Sequence, residues 1–234
     1  MSFIVDTFIA PPCEEQINIL YKDESILMIN KPSGLLSLSG KNPLNLDSVH
    51  YRLIQDYPRA NLVHRLDFGT SGIMLVALNK TVNANFTKQF EARTIAKSYI
   101  AFLDGSIDAE EGVIDFPIAK GDFPLQKICS IEGKAARTYF RVLERFTSPD
   151  ITKVEFIPET GRTHQLRIHS REIGHGILGC DLYSPSNVFK MADRLMLHAY
   201  KIEFDHPITG ERIRGVAELE PFSFLSQKLC FQTR

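Results

Sequence analysis

The stretch VHRLDFGTSGIMLVALNK, residues 63–80, says more about the fold of this chain than any other segment. Small residues from Gly69 to Gly72 predict a turn, and the apolar run Ile73–Leu78 is short enough to be an interior strand. Arg65 and Asp67 come just before the turn, and residues two apart in an extended segment share a face. The pair is therefore either a structural salt bridge or a carboxylate that a neighbouring cation keeps ionised for nucleophilic chemistry.

On both sides of this stretch, apolar patterns predict several short strands and a few helices. The predicted strands are Ser25–Asn30, Ser98–Leu103, Thr138–Leu143 and Thr152–Ile157, with a closing hairpin of KIEF and ERIRGV around Pro207–Gly210. The predicted helices are Leu46–Tyr57, a segment capped near Thr81 that carries Val82, Phe86 and Phe90, and about Thr163–Glu172. Because strands do not alternate regularly with helices, we expect an α+β fold with a mixed, mostly antiparallel sheet.

The bulk composition is that of an ordinary globular protein, with 234 residues, 44% of them hydrophobic and 24% charged. A formal net charge of −1 argues against a protein that coats nucleic acid non-specifically. Cations are nevertheless concentrated locally. Residues 120–145 contain six Lys or Arg against three acids, and residues 161–171 contain three Arg and two His with no acid. A local basic face is thus compatible with the neutral total.

The N-terminus lacks a basic, apolar signal segment, and no apolar run approaches the roughly 20 residues of a membrane span. The four cysteines, at positions 13, 129, 180 and 230, form no C-x-x-C pair and suit a reducing compartment. These features predict a cytoplasmic protein without a membrane partner.

The second informative segment is ETGRTHQLRIHSREIGH, residues 159–175. On the predicted helix, one face carries His164, Arg167 and Arg171, and a different, more buried face carries Leu166, Ser170 and Ile173. A solvated surface helix would explain this pattern, but cations without an acid also indicate an anionic partner or a buried carboxylate. The histidines at 64, 164, 169, 175 and 198 lack the spacing of a zinc motif, so no metal centre is expected.

A third segment, KSYIAFLDG, places Tyr99 on a predicted strand. A tyrosine there either packs in the core or acts as a ring that stacks on a base or a phenol that moves a proton.

Five segments, KPSGLLSLSG, VHRLDFGTSG, KSYIA, GRTHQLRIH and GHGILG, follow one another in the order and spacing of the RluA-like pseudouridine synthases. The chain resembles this family from about Tyr21 to about Glu220, and most resembles its short members, which act on tRNA and ribosomal RNA. The resemblance implies the pseudouridine synthase fold with a central active-site cleft. It also implies a catalytic domain over residues 21–234, an N-terminal extension over residues 1–20, and no S4-type RNA-binding domain.

The resemblance also implies roles for single residues. Asp67 matches the family's catalytic carboxylate, Tyr99 its active-site tyrosine, and Arg167 the basic residue paired with the catalytic aspartate. Expected RNA contacts are Arg65, His64, Arg162, His164 and Arg171. The implied reaction turns specific uridines of a tRNA anticodon stem-loop or of large-subunit ribosomal RNA into pseudouridine, without cofactor or metal. Asp67 would attack C1′ or remove the C2′ proton.

Two departures from the family pattern GHPILGD, Gly176 for Pro and Cys180 for Asp, are expected to affect loop contacts and not the chemistry. Two other functions stay open: an RNA N-glycosidase or nuclease that uses Asp67 with His64, and a non-catalytic RNA-binding module. We expect a monomer with no obligate protein partner.

Overall fold

The computed structural model describes residues 8–219, which divide into two compact units. Of these residues, unit 1 contains 8–95 and 201–217, and unit 2 contains 96–200 and 218–219. Cys230 and the ends of the predicted N-terminal extension and catalytic domain lie outside the described residues.

Twelve strands and four helices follow one another along the described residues. The strands are β1 (Asn18–Lys22), β2 (Ile26–Lys31), β3 (Asn61–Leu62), β4 (Ser71–Ala77), β5 (Ala96–Asp104), β6 (Glu111–Ile114), β7 (Ile118–Lys120), β8 (Gln126–Ile128), β9 (Thr138–Thr147), β10 (Asp150–Pro158), β11 (Leu197–Asp205) and β12 (Arg212–Val216). The helices are α1 (Val49–Asp56), α2 (Lys80–Glu91), α3 (Gln165–Glu172) and α4 (Ser186–Phe189), with a 3-10 turn at Pro43–Asn45.

Unit 1 is built around β4, the apolar run at the end of the opening stretch. All seven residues of β4 are buried, as expected for an interior strand. It pairs antiparallel with β2 and with β3, and β2 pairs antiparallel with β1. The end of β11 and β12 form the predicted hairpin, with Lys201 opposite Val216.

The two helices of unit 1 begin at side chains that accept hydrogen bonds from the first turn. Ser48 Oγ accepts from the Tyr51 N–H at 3.1 Å to cap α1, which ends before Pro58. Asn79 Oδ1 accepts from the Val82 N–H at 2.9 Å to cap α2. The predicted cap near Thr81 is wrong by two residues. The side chain of Asn79 accepts the hydrogen bond from the first turn that a cap must accept.

Unit 2 is built on an antiparallel sheet in the order β5, β10, β9 and β6. A separate two-stranded antiparallel sheet pairs β7 with β8. The core includes Phe102, Phe146 and Phe156 from the strands and Leu166 and Ile168 from α3.

The fold class is confirmed as α+β. The strand pairs named above are all antiparallel, and an isolated bridge between Leu36 and Ser48 is parallel. All the predicted strands are present, but β1, β3, β6, β7 and β8 were not predicted. The five residues of β1 are all exposed, so apolar and polar residues need not alternate along this strand, and the sequence carries no strand signal there.

The third predicted helix differs from α3 in two respects. It begins at Gln165 instead of Thr163, after His164 in a left-handed conformation with φ of 57°. Six of its eight residues are buried, so the interpretation as a solvated surface helix is wrong. Among residues 8–219, no helix is both long and apolar enough to cross a membrane.

Candidate functional site

Residues of unit 1 form hydrogen bonds to the backbone of the loop that carries Asp67, both before and after this residue. Before Asp67, Ser37 Oγ accepts from the Leu66 N–H at 3.1 Å and donates to the Leu66 carbonyl at 2.7 Å. After it, the Phe68 carbonyl accepts from Lys31 Nζ at 3.1 Å and from the Gly34 N–H at 3.0 Å.

Further contacts of this loop also come from the KPSGLLS segment, residues 31–37. Ser33 Oγ donates to the Gly69 carbonyl at 2.7 Å, and Lys31, fully buried, also donates to the Pro32 carbonyl at 2.8 Å. A buried ammonium must have such acceptors, because an isolated charge inside a protein is costly. The KPSGLLS segment therefore fixes the backbone on which Asp67 stands.

The two other predicted residues of this loop have different surroundings. Arg65 is exposed, as a phosphate contact requires. His64 is half-buried, and its Nε2 accepts the Leu75 N–H from β4 at 3.0 Å. This hydrogen bond ties the His64 side chain to β4 and gives it a structural role beside any contact with RNA.

Tyr99 lies on β5 in unit 2, opposite Phe156 of β10, with its half-buried ring packed against the core. Lys97 lies two residues earlier on the same strand, and burial lowers the pKa of its ammonium. A Cβ at Gly161 would be 3.9 Å from Lys97 Nζ. The strand of Tyr99 and the turn that precedes α3 are thus neighbours within unit 2, and the sequence pattern did not single out Lys97.

The turn before α3 is organised by one buried amide, that of Gln165. Its Oε1 accepts from the Arg162 N–H at 3.0 Å and from Thr160 Oγ1 at 2.7 Å. Its Nε2 donates to the Arg137 carbonyl at 3.1 Å and to Thr138 Oγ1 at 3.0 Å. The first two hydrogen bonds close the turn before α3, and the other two tie the start of α3 to Thr138 of β9 and to the residue before it, which explains a Gln at this position of the motif.

Arg167 is a buried cation on α3, with the residue 5% exposed. Its guanidinium makes an ion pair with Asp181 at 2.5 Å, and Nε donates to Cys180 Sγ at 3.4 Å. The Asp181 side chain is 65% exposed, so this carboxylate joins the buried guanidinium from the solvent side. The pairing of Arg167 with Asp67 stays a prediction.

Tyr183 is a functional candidate that the motifs did not indicate, and it connects the cations of α3. Its hydroxyl lies 2.7 Å from His164 Nδ1, and its ring lies beneath the guanidinium groups of Arg167 and Arg171, at 5.2 and 5.6 Å from ring centre to Cζ. The hydroxyl also accepts the Gln126 N–H at 2.9 Å. Arg167 and Arg171 share a face of α3, as predicted, whereas His164 lies just before the helix; all three contact the same buried tyrosine.

The two departures from the family pattern both lie near this face. Cys180 is fully buried, and its Sγ accepts a hydrogen bond from Arg167; the expectation that the departures leave the chemistry unchanged stays a prediction. A Cβ at Gly176 would be 2.6 Å from Ser184 Oγ, which donates to the Ile177 carbonyl at 2.9 Å. Glycine at 176 thus leaves the space that Ser184 fills.

Two more of the predicted RNA contacts, Arg162 and Arg171, and the histidine His169 have partners within the protein. Arg162 Nε donates to the Ala135 carbonyl at 3.0 Å, and Arg171 is exposed and paired with Glu172. His169 is buried between Thr138 and the Phe116 carbonyl, and burial lowers its pKa. Within residues 8–219, no group of three or more His, Cys, Asp or Glu side chains is arranged to hold a metal ion.

Comparison with known proteins identifies the family. Residues 25–172 match the family RNA pseudouridylate synthase. The chain is 42% identical over 202 residues to the dual-specificity RNA pseudouridine synthase RluA of Escherichia coli K12, covering 86% of this chain and 92% of that protein. It is 41% identical to the protein of the same name from Vibrio vulnificus, covering 84% and 81%.

Two solved human structures resemble the whole fold. RNA pseudouridylate synthase domain containing 1 has a TM-score of 0.78 at 27% identity, covering 95% of this chain and 91% of that one. RNA pseudouridylate synthase domain containing 4 has a TM-score of 0.69 at 26% identity, covering 88% and 89%. The chain therefore belongs to the RNA pseudouridylate synthase family and is an isomerase that acts on RNA.

Proposed function

We propose that this enzyme is a dual-specificity synthase that isomerises uridine both in a tRNA anticodon stem-loop and in a hairpin of large-subunit ribosomal RNA. The proposal is supported by 42% identity over most of the chain to a relative whose name states dual specificity. The structural observation that supports the isomerisation is the fixed backbone of the Asp67 loop. A carboxylate that reacts with a sugar must be held in place before the substrate arrives.

We assign the chemistry to Asp67, Tyr99 and Arg167. The N1–C1′ bond of the target uridine breaks, the base turns, and a C5–C1′ bond forms, while the C5 proton leaves and N1 is protonated. Asp67 either attacks C1′ and later departs from it, or removes the C2′ proton and later returns it. No atom is gained or lost overall, so the reaction requires neither oxidant nor reductant.

Tyr99 and Arg167, the two assigned residues that lie in unit 2, would have different roles in this reaction. The Tyr99 ring would stack on the base, and its phenol can carry the proton between C5 and N1. The Arg167 guanidinium would keep Asp67 ionised through charge. The target base must leave its stack to react, which favours loops and bulges as substrates.

Within residues 120–145, RNA would be held by three lysines of unit 2. The arginines of β9 are paired with acids, Arg141 with Glu155 at 2.7 Å and Arg145 with Glu110 at 2.8 Å. In contrast, Lys120, Lys127 and Lys134 around β7 and β8 are exposed, and none forms an ion pair with another described residue. The phosphate contacts would therefore be fewer than the sequence count of cations in residues 120–145.

We also propose that the catalytic domain spans residues 21–234 after an extension of residues 1–20, and that the enzyme is a cytoplasmic monomer. The cytoplasmic location is supported by the thiols, since Cys13, Cys129 and Cys180, the cysteines of the described part, are all free.

The test is pseudouridine mapping after incubation with each RNA. An anticodon stem-loop, a ribosomal hairpin and an unrelated hairpin of equal length are treated separately, and pseudouridine is located by chemical labelling and primer extension. Asp67→Asn should lose turnover by more than about a thousandfold while still binding RNA, because an amide is neither nucleophile nor base. Asp56→Asn, at an exposed acid of unit 1, is the matched control and should retain full turnover.

The other functions give different products. An N-glycosidase releases free uracil, a nuclease shortens the RNA, and a binding module leaves the RNA unchanged. Modification of one RNA only contradicts dual specificity, and turnover of Asp67→Asn within about tenfold of wild type removes Asp67 from the mechanism.

A further inference from the structure

The segment Phe8–Glu15, which we call the strap, is tied to unit 1 by two polar side chains. Arg52 of α1 donates to the Cys13 carbonyl at 2.5 Å and to the Glu15 carbonyl at 2.6 Å. Asp47 orients this guanidinium through bonds of 2.7 and 2.6 Å. One end of the strap is thereby fixed on α1.

The other end is fixed by Asn45, which is 2% exposed. Its Nδ2 donates to the Phe8 carbonyl at 2.7 Å, and its Oδ1 accepts the Ala10 N–H at 2.8 Å. A side-chain amide that bonds the carbonyl of one residue and the N–H two residues later imitates a neighbouring β-strand. Gly40 makes room for Asn45, since a Cβ there would be 2.9 Å from Asn45 Cβ.

This anchoring presents the Phe8 ring beside the Asp67 loop. The rings of Phe8 and Phe68 meet edge to face, with centroids 5.4 Å apart and planes at 77°. Phe68 follows Asp67 directly, and its carbonyl is fixed by Lys31 and Gly34. Phe8 nevertheless remains 47% exposed, so the pair forms an aromatic surface that the protein itself only partly covers.

We propose that Phe8 and Phe68 are a stacking site for an unpaired nucleobase of the RNA substrate. The inference rests on the proposed role of Asp67 and adds a contact for a nucleotide beside the target uridine. Unstacked bases bind to aromatic rings, and an edge-to-face pair leaves ring surface for a third ring. Arg65, exposed in the same loop, supplies a cation for the phosphate of that nucleotide.

A nucleobase is favoured over a protein partner by what surrounds the pair. The family acts on RNA, and the two rings lie in or against the loop that carries the predicted nucleophile and an exposed arginine. A partner protein that covered this surface would also cover the Asp67 loop and block the reaction.

The direct test uses the absence of tryptophan from this chain. Phe8→Trp introduces a single fluorophore, and titration with the anticodon stem-loop should quench its emission, because a base stacked on indole quenches it. Ile9→Trp is the matched control. Neighbouring residues of an extended segment point to opposite sides, so Trp at position 9 should be quenched far less. Equal quenching of both variants, or none in either, overturns the proposal.

Affinity gives the second measurement. Phe8→Ala should weaken stem-loop binding roughly 5- to 100-fold, the range of one base–aromatic stack, whereas Ile9→Ala should change it by less than about twofold. Asn45→Ala should weaken binding similarly, and the double variant should be no weaker than Phe8→Ala alone, because Asn45 acts through Phe8. Additive losses, or unchanged binding of a folded Phe8→Ala protein, contradict the stacking site.

A change in assembly would point to a protein contact instead of a stacking site. If Phe8→Ala changes the mass measured by light scattering but not RNA binding, the surface is a protein contact and the inference fails. Binding and quenching are measured without turnover. Quenching by an RNA that is never modified would therefore leave the stacking site intact while the proposed function fails.

Discussion

At the scale of single residues, Tyr183 has the greatest consequence for the candidate site, because its ring contacts the guanidinium groups of Arg167 and Arg171 and its hydroxyl contacts His164. We interpret Tyr183 as a positioning residue that holds Arg167 through its ring and His164 through its hydroxyl. Cation–π contacts of partly desolvated guanidinium groups contribute about 0.5–2 kcal/mol each.

Tyr183→Phe keeps the ring and should therefore retain most activity, whereas Tyr183→Leu should reduce kcat by about tenfold or more with a smaller change in KM. Multiple-turnover rates at several stem-loop concentrations give kcat and KM for both variants. Tyr51→Leu, at an exposed tyrosine of α1, controls for the loss of a tyrosine elsewhere. Equal activity of the Phe and Leu variants would show that the ring does not position Arg167.

His169 gives a prediction about pH. It is fully buried, and its two ring nitrogens contact Thr138 Oγ1 at 2.9 Å and the Phe116 carbonyl at 3.0 Å. Burial lowers the pKa of this imidazole in the folded state, so below about pH 6.5 the unfolded chain binds a proton that the folded chain does not. The free energy of unfolding should therefore fall on acidification, by up to about 1.4 kcal/mol per pH unit from this group.

The measurement is urea denaturation of wild type and His169→Gln between about pH 7.5 and about pH 5. The variant is expected to start lower and to lose less stability over this interval, because it lacks the titrating group. Parallel curves for the two proteins would mean that His169 does not contribute to the acid sensitivity.

At the scale of elements, α2 shows how a cap decides where a helix starts. Asn79 lies in an extended conformation and accepts the Val82 N–H, while Thr81 already lies inside the helix. Both residues are capping types, and the sequence analysis placed the cap at the less preferred of the two, since Asn is a more frequent N-cap than Thr.

Asn79→Ala should lower the free energy of unfolding by about 1 kcal/mol, the usual cost of removing an N-cap. Thr81→Ala is the control, and it should change stability by less than about 0.5 kcal/mol. Both values come from the midpoint of chemical denaturation. A larger loss for Thr81→Ala than for Asn79→Ala would reverse the assignment of the cap.

At the scale of the whole molecule, the formal net charge of −1 leaves RNA binding to local groups. Three exposed lysines, Lys120, Lys127 and Lys134, make no ion pair with another described residue, in contrast to the arginines of β9. Each phosphate contact with single-stranded RNA contributes about 0.7 to the slope of log K against log salt. Three lysine contacts predict a slope of about −2 from this region.

Lys127→Gln should reduce the magnitude of this slope by about 0.7, whereas Arg141→Gln should leave it unchanged, because Glu155 already neutralises Arg141. Filter binding at several salt concentrations measures both. If the Arg141 variant loses slope and the Lys127 variant does not, the phosphate contacts lie on β9 and not around β7 and β8.

Much of this molecule follows from its sequence without any knowledge of long-range contacts, and the reason is local. Buried strands such as β4 and β10 are continuous or alternating apolar runs, and the signal for each lies within a few neighbouring residues. The motif residues Asp67, Tyr99 and Arg167 stand in segments whose order and spacing identify the family. Elements such as β1 and β7 carry no such signal, because β1 is fully exposed and the three residues of β7 are too few to show a period.

Which distant groups meet depends instead on the tertiary structure. Gln126 donates to Tyr183 across 57 positions, Lys31 reaches the Phe68 carbonyl across 37, and Asn45 holds Phe8 across 37. Each partner supplies a hydrogen bond to a group that is partly removed from water, and this requirement leaves no periodic trace in the sequence. The predicted catalytic residues were therefore readable from local motifs, while the side chains that hold their segments in place depend on how the chain packs.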